Sequence, residues 1–376
     1  MKKFIMNHKI VSFVFLYIVK ISFFLMHFFI KVDDNLVLFT SFSGRNFNDS
    51  PKTIFEALRQ DKEFENFRYV WGFKKYKENF KWDQVKTSTW SYFITLIRAK
   101  YWISNSSIDQ LVPINSKKHV YINTWHGVPL KFLGKDEKRE NFLTKNWYQK
   151  VQFDLLLSSG EYDNKLFHRI FPSCKNIQIT GLPRNICLSD ASNKQKALEY
   201  VSKKITFDKQ KKTILYAPTF RAKSINNRGV MTLPFSKKAL KRLSEQYNFL
   251  VRPHYFVEKI VPVNSITDVR ELDLNNLMQV SDILITDYSS IMFDYLNLNK
   301  PIILYTYDMY DYIKNNGTYI NPNEIGFPVV DSSEDLIIKI QEVLKQEYNQ
   351  TVKIREKFNV FPNVSVEVVK NFIKSH

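Results

Sequence analysis

Glycine is scarce in this chain, nine residues in 376, and no tract of Gly, Ser, Pro or Gln interrupts it. With 31 Phe and 20 Tyr, the composition is the reverse of a disordered one, and no internal repeat is present. Cysteine is rarer still. Cys174 and Cys187 sit in no CxxC pair, which leaves no basis for a disulfide framework or a zinc ribbon and fits a reducing, cytoplasmic setting. There is no HExxH, Walker loop, GxSxG or clustered His/Cys/Asp set, so no motif points to a metal. Acidic residues are outnumbered by 37 to 55, a formal net charge of +18. Such a surface attracts anions (phosphate polymers, nucleotides, acidic lipid, nucleic acid), and charge alone does not choose among them. A hydrophobic content of 44% over 376 residues is enough for a large core and two domains of ordinary size.

One long apolar run is present, Ile10 to Ile30, about the length that spans a bilayer. Lys20 falls at its centre, where a charge is costly. On a helical wheel Lys9, Lys20, His27 and Lys31 lie within roughly 40° of one another, a polar stripe on an apolar cylinder. That pattern suits a helix lying in the membrane interface with its lysines at the headgroups. Lys2, Lys3 and Lys9 precede the run, while Asp33 and Asp34 follow Lys31, so a spanning helix would put the body of the protein outside the cell. A cleaved signal peptide is disfavoured by Lys20 and by the lack of a small-residue cleavage site. Residues 1–32 are therefore read as a membrane-associating, peripheral or monotopic segment, with a true span and a buried core helix as alternatives.

Beyond Asp34, short apolar runs alternate with longer helical stretches, the pattern of parallel sheets covered by helices. Candidate strands are 36–39, 69–71, 101–104, 120–124, 155–158 and 177–180, then 213–217, 249–252, 283–286 and 302–305. The Lys-rich stretch 189–212 separates the two series. The expected fold is α/β, two doubly wound Rossmann-like domains over 33–190 and 191–376.

Several strand ends carry chemistry. In SDILITDYSSIMFDYLNLNKPIILY an apolar strand ends at Thr286, a turn carries Asp287, Tyr288, Ser289 and Ser290, and a helix follows. The serines either cap that helix or, with its free N–H groups and positive dipole end, hold phosphate oxygens. In YINTWHGVPLKFLG, His126 and Gly127 lie on the turn beyond a strand end, where open α/β sheets place ligand groups. A neutral imidazole there can take a proton from an attacking hydroxyl, with Lys131 adding positive charge. The alternative is a partly buried hydrogen-bonding histidine. FLVRPHY places Arg252 and His254, and ILYAPTFR places Thr219 and Arg221, at two further strand ends, suited to charge on a transferring phosphoryl or to surface ion pairing. LFTSFSGRNFNDSPKTIFEAL carries Arg45 on a loop before a Ser50-Pro51 helix start. Asp308 and Asp311 read as solvated loop carboxylates, with a cation site as the alternative.

Taken in order, FTSFSGRNFNDSPK, AKYWISNSS, NTWHGVPLK, SSGEYDNKLF, GLPRN, ILYAPTFR, RPHY and VSDILITDYSSIMFDYLNLNKPIILYTYD resemble the CDP-glycerol glycerophosphotransferase family, the enzymes that prime or polymerise teichoic acids and related capsule polymers. The likeness runs from about Leu36 to Pro328. It implies a GT-B-like fold whose second domain holds a CDP-glycerol or CDP-ribitol donor, while an acceptor hydroxyl attacks the polyol-linked phosphorus and CMP leaves. By that resemblance His126 is the general base, and His254 supports the phosphates or the leaving group. Ser289 and Ser290 meet the pyrophosphate, with Asp287, Thr219, Arg221, Arg252 and Asp294 on the donor side. Arg45, Gly127 and Lys131 fall on the acceptor side. The implied partners are an undecaprenyl-diphosphate-linked glycan and the anionic cytoplasmic face of the plasma membrane, not nucleic acid; no resident cofactor is implied and a divalent metal is left open. Pro253 stands where family members often carry Met, and 315–326 matches poorly. The chain lacks the long additional N-terminal module of the large polymerases, which favours a primase or an enzyme adding one or few units. A glycosyltransferase using a nucleotide sugar is the alternative reading.

Overall fold

The computed structural model describes residues 8–190, 192–206, 208–221, 230–254, 257, 259–261, 266–345 and 350–376. It divides into two compact units. One comprises 1–128, 133–184 and 360–376, and the other 129–132 and 185–359.

The first unit is built on strands β1 (Asp33–Thr40), β2 (Arg68–Phe73), β3 (Asp83–Lys86), β4 (Ala99–Ser104), β5 (Val120–Asn123), β6 (Leu155–Ser158) and β7 (Ile177–Ile179). They form one sheet in the order β3-β2-β1-β4-β5-β6-β7, parallel throughout. Successive residues point to opposite faces of a strand, yet Leu36, Val37, Leu38, Phe39 and Thr40 are all buried. Both faces are therefore covered, which is why these strands read as continuous apolar runs rather than alternating ones. On one face Val37, Phe39, Tyr101, Ile103 and Ile122 pack with Ile54, Phe55 and Leu58 of the helix Asp49–Gln60 and with Val369 and Ile373 of the C-terminal helix Ser365–Lys374. Tyr101 donates its hydroxyl to the Ile373 carbonyl, so the last turn of the chain closes the first unit.

The second unit repeats the plan with β8 (Thr213–Tyr216), β10 (Asn248–Val251), β12 (Thr267–Asp268), β13 (Ile283–Thr286), β14 (Ile302–Tyr305) and β15 (Val329–Val330), in the order β12-β10-β8-β13-β14-β15. A two-stranded ribbon, β9 (Val230–Met231) with β11 (Lys259–Ile260), stands apart. Tyr216, Val251, Ile283, Ile285 and Ile303 pack with Leu240 and Leu243 of the helix Lys237–Gln246 and with Leu336 and Ile340 of the helix Ser333–Lys345.

All ten expected strands form. β3, β9, β11, β12 and β15 had no apolar run to announce them, being short and polar or only two residues long. In each main sheet the winding direction reverses once, at β1/β4 and at β8/β13. Those are the two points where loops at the carboxyl ends of neighbouring strands splay apart and leave a crevice for ligand.

The helix Lys9–Met26 is long and apolar enough to cross a membrane by length and composition, and it docks on the first unit. Phe23 meets the rings of Phe93, Trp102 and His119, and His27 Nε2 lies 2.9 Å from His119 Nε2. This corrects one expectation. The stripe expected at lipid headgroups instead turns Lys20 and His27 toward the protein: Lys20 is half-buried and held below the ordinary lysine value by that burial, with the Asp109 charge opposing the shift. What faces outward is apolar, with Ile10, Phe13, Val14, Tyr17, Ile18, Ile21, Phe24, Leu25, Phe28 and Phe29 all exposed.

Candidate functional site

In the first unit three loops converge at the β1/β4 reversal. After β1 the chain makes a left-handed turn through Phe42, Ser43 and Gly44, with φ of 47°, 54° and 84°. Only glycine fits at position 44, where a Cβ would lie 2.8 Å from Thr87 Cγ2 and 3.0 Å from the Gly72 carbonyl. The turn is tied to the loop after β4, since Phe42 N–H donates to Asn105 Oδ1 at 2.7 Å and Ser43 N–H to Ser106 Oγ at 2.8 Å. Arg45 is exposed on this turn.

The third loop, after β5, brings His126. Trp125 before it is also left-handed, φ 49°, with its N–H held by Asn123 Oδ1 at 2.8 Å; Gly127 follows, buried, at φ 129°. The imidazole meets the rings of Phe42 and Trp125, and its Nδ1 is 2.6 Å from the main-chain oxygen of Asn105. A carbonyl can only accept, so Nδ1 carries the hydrogen and Nε2 is the nitrogen able to take a proton. Burial lowers the pKa of His126 below the ordinary imidazole value, with Arg184 adding to the fall while the Asn105 bond and Asp49 oppose it. The ring is thereby kept in the neutral form that a general base needs.

Beneath His126 lies an ion pair. Arg184 Nη1 is 2.8 Å from Asp49 Oδ2 and 3.0 Å from the His126 carbonyl oxygen. Asp49 is itself left-handed, φ 64°. Non-glycine residues in that region cost roughly 1–3 kcal/mol each and collect at functional sites. Phe42, Ser43, Asp49 and Trp125 gather here.

In the second unit the β8/β13 reversal brings together Thr219, Arg221 and the Asp287–Ser290 turn. Asp287 accepts from Thr219 N–H (2.8 Å to Oδ1), Thr219 Oγ1 (3.1 Å), Tyr288 N–H (2.6 Å) and Arg221 Nη2 (2.8 Å). Arg221 also pairs with Asp308, Nε to Oδ2 at 2.6 Å, which resolves Asp308 as an ion-pair partner rather than a solvated carboxylate or a cation ligand. Two carboxylates hold the guanidinium firmly charged against the cost of burial. Thr219, Arg221 and Asp287 thus spend their polar groups on one another and fix the turn. The hydroxyls are less committed: Ser290 makes no side-chain cap bond, and Ser289 Oγ reaches Ile291 N–H only at 3.5 Å. Lys131, from a segment that belongs to the second unit, bridges to Thr318 and stands 5.5 Å over the Tyr312 ring beside Arg221.

The remaining expected residues sit elsewhere in the second unit. Arg252 donates to the carbonyls of Val269 and Leu272 and so fixes that loop. Asp294 is buried and accepts from Asn185 Nδ2 at 2.8 Å. His254 is half-buried with its ring near Phe220. Asn105, Asp49 and Arg184 were not singled out from the sequence, although all three lie in the blocks quoted above. Among the described residues no cluster of three His, Cys, Asp or Glu could hold a metal ion.

The chain is 33% identical over 313 residues to a teichoic acid poly(glycerol phosphate) polymerase of Staphylococcus epidermidis, covering 77% of this chain and 43% of that one, so it spans less than half the length of that relative. It is 31% identical to a teichoic acid glycerol-phosphate transferase of Staphylococcus aureus, covering 86% and 87%. The solved structure of the wall teichoic acid polymerase TagF superposes with a TM-score of 0.81 at 28% identity, over 92% of this chain and 89% of that one. The profile of one family, described as CDP-Glycerol:Poly(glycerophosphate) glycerophosphotransferase, matches residues 22–367, and the chain belongs to that family of transferases.

Proposed function

We propose that the chain transfers glycerol phosphate from CDP-glycerol to the hydroxyl of a lipid-linked acceptor in teichoic acid or capsule synthesis. His126 Nε2 takes the acceptor proton as the new O–P bond forms at the glycerol-linked phosphorus. The bond to the other phosphate breaks, and CMP leaves with the electron pair. The Ser289 and Ser290 hydroxyls and the main-chain N–H groups of their turn receive the donor pyrophosphate, on a turn fixed by Asp287, Thr219 and Arg221. His254 supports the phosphates or the leaving group. Arg252 and Asp294 shape the donor side, Lys131 adds positive charge, and Arg45 and Gly127 line the acceptor side.

The observation that carries this reading is the bond from His126 Nδ1 to the Asn105 carbonyl, which leaves a neutral, oriented base at a strand reversal. Family membership supplies the donor chemistry. The test is release of CMP from CDP-glycerol in the presence of a lipid-linked acceptor, with CDP-ribitol run in parallel. Stoichiometric CMP and a phosphate-bearing product support the reading; transfer of a sugar with no phosphate moved selects a glycosyltransferase instead.

The outward apolar face of the helix Lys9–Met26 supports attachment to the cytoplasmic face of the membrane, where a lipid-linked acceptor is presented. Burying that face in lipid while Lys20 and His27 remain against the protein is a monotopic arrangement. Carbonate extraction, with labelling of both termini on sealed vesicles, tests it.

A further inference from the structure

We infer that Asp49 and Arg184 are positioning residues for His126, a buried pair that fixes the direction of the imidazole and balances the charge around it. This rests on the reading of His126 as the base.

Three contacts define where the imidazole points. Its Nδ1 is held by the Asn105 carbonyl, the residue before it is held by Asn123, and its own carbonyl accepts from Arg184 Nη1 at 3.0 Å. The last contact is the only one of the three that reaches His126 from a distant segment by a charged side chain. Arg184 lies 135 positions from Asp49 in sequence, and the two segments are joined twice, by the ion pair at 2.8 Å and by Arg184 N–H to Ser50 Oγ at 3.3 Å. Side-chain exposures of 12% for Arg184 and 8% for Asp49 keep water from screening the pair. Asp49 adopts its left-handed backbone while its other oxygen, Oδ1, accepts from Ser50 N–H at 2.7 Å. The ion pair therefore ties the helix Asp49–Gln60, the Arg184 segment and the His126 loop at one point.

Asp49 and Arg184 are also the charged groups that act on His126 among the described residues, and they act in opposite senses: Asp49 favours the imidazolium and Arg184 disfavours it. Neutralising one leaves the other unbalanced. Asp49→Asn leaves Arg184 facing the ring and moves its titration to lower pH. Arg184→Gln leaves Asp49 and moves it to higher pH. These shifts report the two charges at the ring; a pair that only stabilised the fold would leave kcat of the folded variants unchanged.

The experiment is NMR titration of the His126 imidazole in the full chain, in wild type, Asp49→Asn, Arg184→Gln and the double variant, with CMP release from CDP-glycerol followed across the same pH range. Expected are opposite shifts of at least half a pH unit in the single variants, and a midpoint near wild type in the double variant. kcat should fall at least tenfold in all three while KM for CDP-glycerol changes little. Arg184→Lys, which keeps the charge and loses the planar fork, should restore the midpoint but not kcat. Midpoints that stay together in folded variants overturn the proposal, as does a kcat unchanged in both single variants. A variant that fails to fold is replaced by Asp49→Glu or Arg184→Lys, read by the same kcat criterion. The underlying reading fails separately: if His126→Gln keeps wild-type CMP release, His126 is not the base whatever the midpoints do.

Discussion

Arg221 sits between Asp287 and Asp308, its Nη2 2.8 Å from one carboxylate and its Nε 2.6 Å from the other. Below it Tyr288 and Tyr312 stack at 3.8 Å with their planes 10° apart, and the guanidinium lies 4.5 Å from the Tyr312 centroid. The Asp287–Ser290 turn is thus anchored by a desolvated cation shared by two anions. Arg221→Leu leaves both carboxylates without their partner, and loss of one member of a buried pair costs about 3–5 kcal/mol. Urea denaturation should show that loss, and adding Asp287→Asn and Asp308→Asn should recover part of it.

His126→Ala should lower CMP release from CDP-glycerol by roughly 10²- to 10⁴-fold, the span attributed to a positioned general base. The Tm is followed alongside, so that loss of the ring's packing against Phe42 and Trp125 is told apart from loss of the base. Parallel assays and thermal melts check both halves.

The pH dependence follows from the direction of the His126 shift. Its pKa in the folded chain lies below the ordinary imidazole value, so the neutral base persists as pH falls past about 6.5, the unperturbed midpoint. The acid limb of kcat/KM for CMP release should therefore lie below that value. A limb above it removes the desolvated environment from the account.

His119 gives a stability prediction. Burial against Trp102 and the N-terminal helix pushes its imidazole down to about 3, opposed by its bond to the Ala99 carbonyl. A depressed folded value means that the unfolded chain binds the proton more readily. The stabilising contribution is then complete above about pH 6.5 and is lost progressively as pH falls toward 3. Equilibrium unfolding between pH 7.5 and 4.5 should show that decline, weaker in His119→Gln, with the helix Lys9–Met26 becoming sensitive to limited proteolysis first.

Replacing Phe24, Phe28 and Phe29 by Ser removes three exposed rings from the outward face. Co-sedimentation with anionic vesicles should fall at least tenfold, since each large apolar side chain contributes about 1.5–3 kcal/mol on burial. Soluble activity on a short-chain acceptor should persist.

The strands that build the core were legible because a strand covered on both faces must be apolar throughout: LVLF, IILY and ILIT leave no other choice. β3 (DQVK) and the two-residue strands carry no such signature, and neighbours rather than composition make them strands. The apolar runs also placed His126, Thr219, Arg221 and the Asp287–Ser290 turn just beyond the carboxyl ends of strands, which is where the fold has them. Asn105 escaped because it acts on His126 through a main-chain oxygen, which any residue possesses. Arg184 and Asp49 escaped because they meet only after the chain has folded. The wheel placed Lys20 and His27 on one face of the N-terminal helix but could not say whether that face met lipid or protein.

The most direct test of polyol-phosphate transfer is mass spectrometry of the product made by the purified full chain from CDP-glycerol and a defined lipid-linked disaccharide. Expected are an acceptor heavier by one or more glycerol phosphate units, one CMP released per unit, and no product from His126→Ala. An acceptor that gains a sugar, or one left unchanged with both CDP-glycerol and CDP-ribitol, would contradict it.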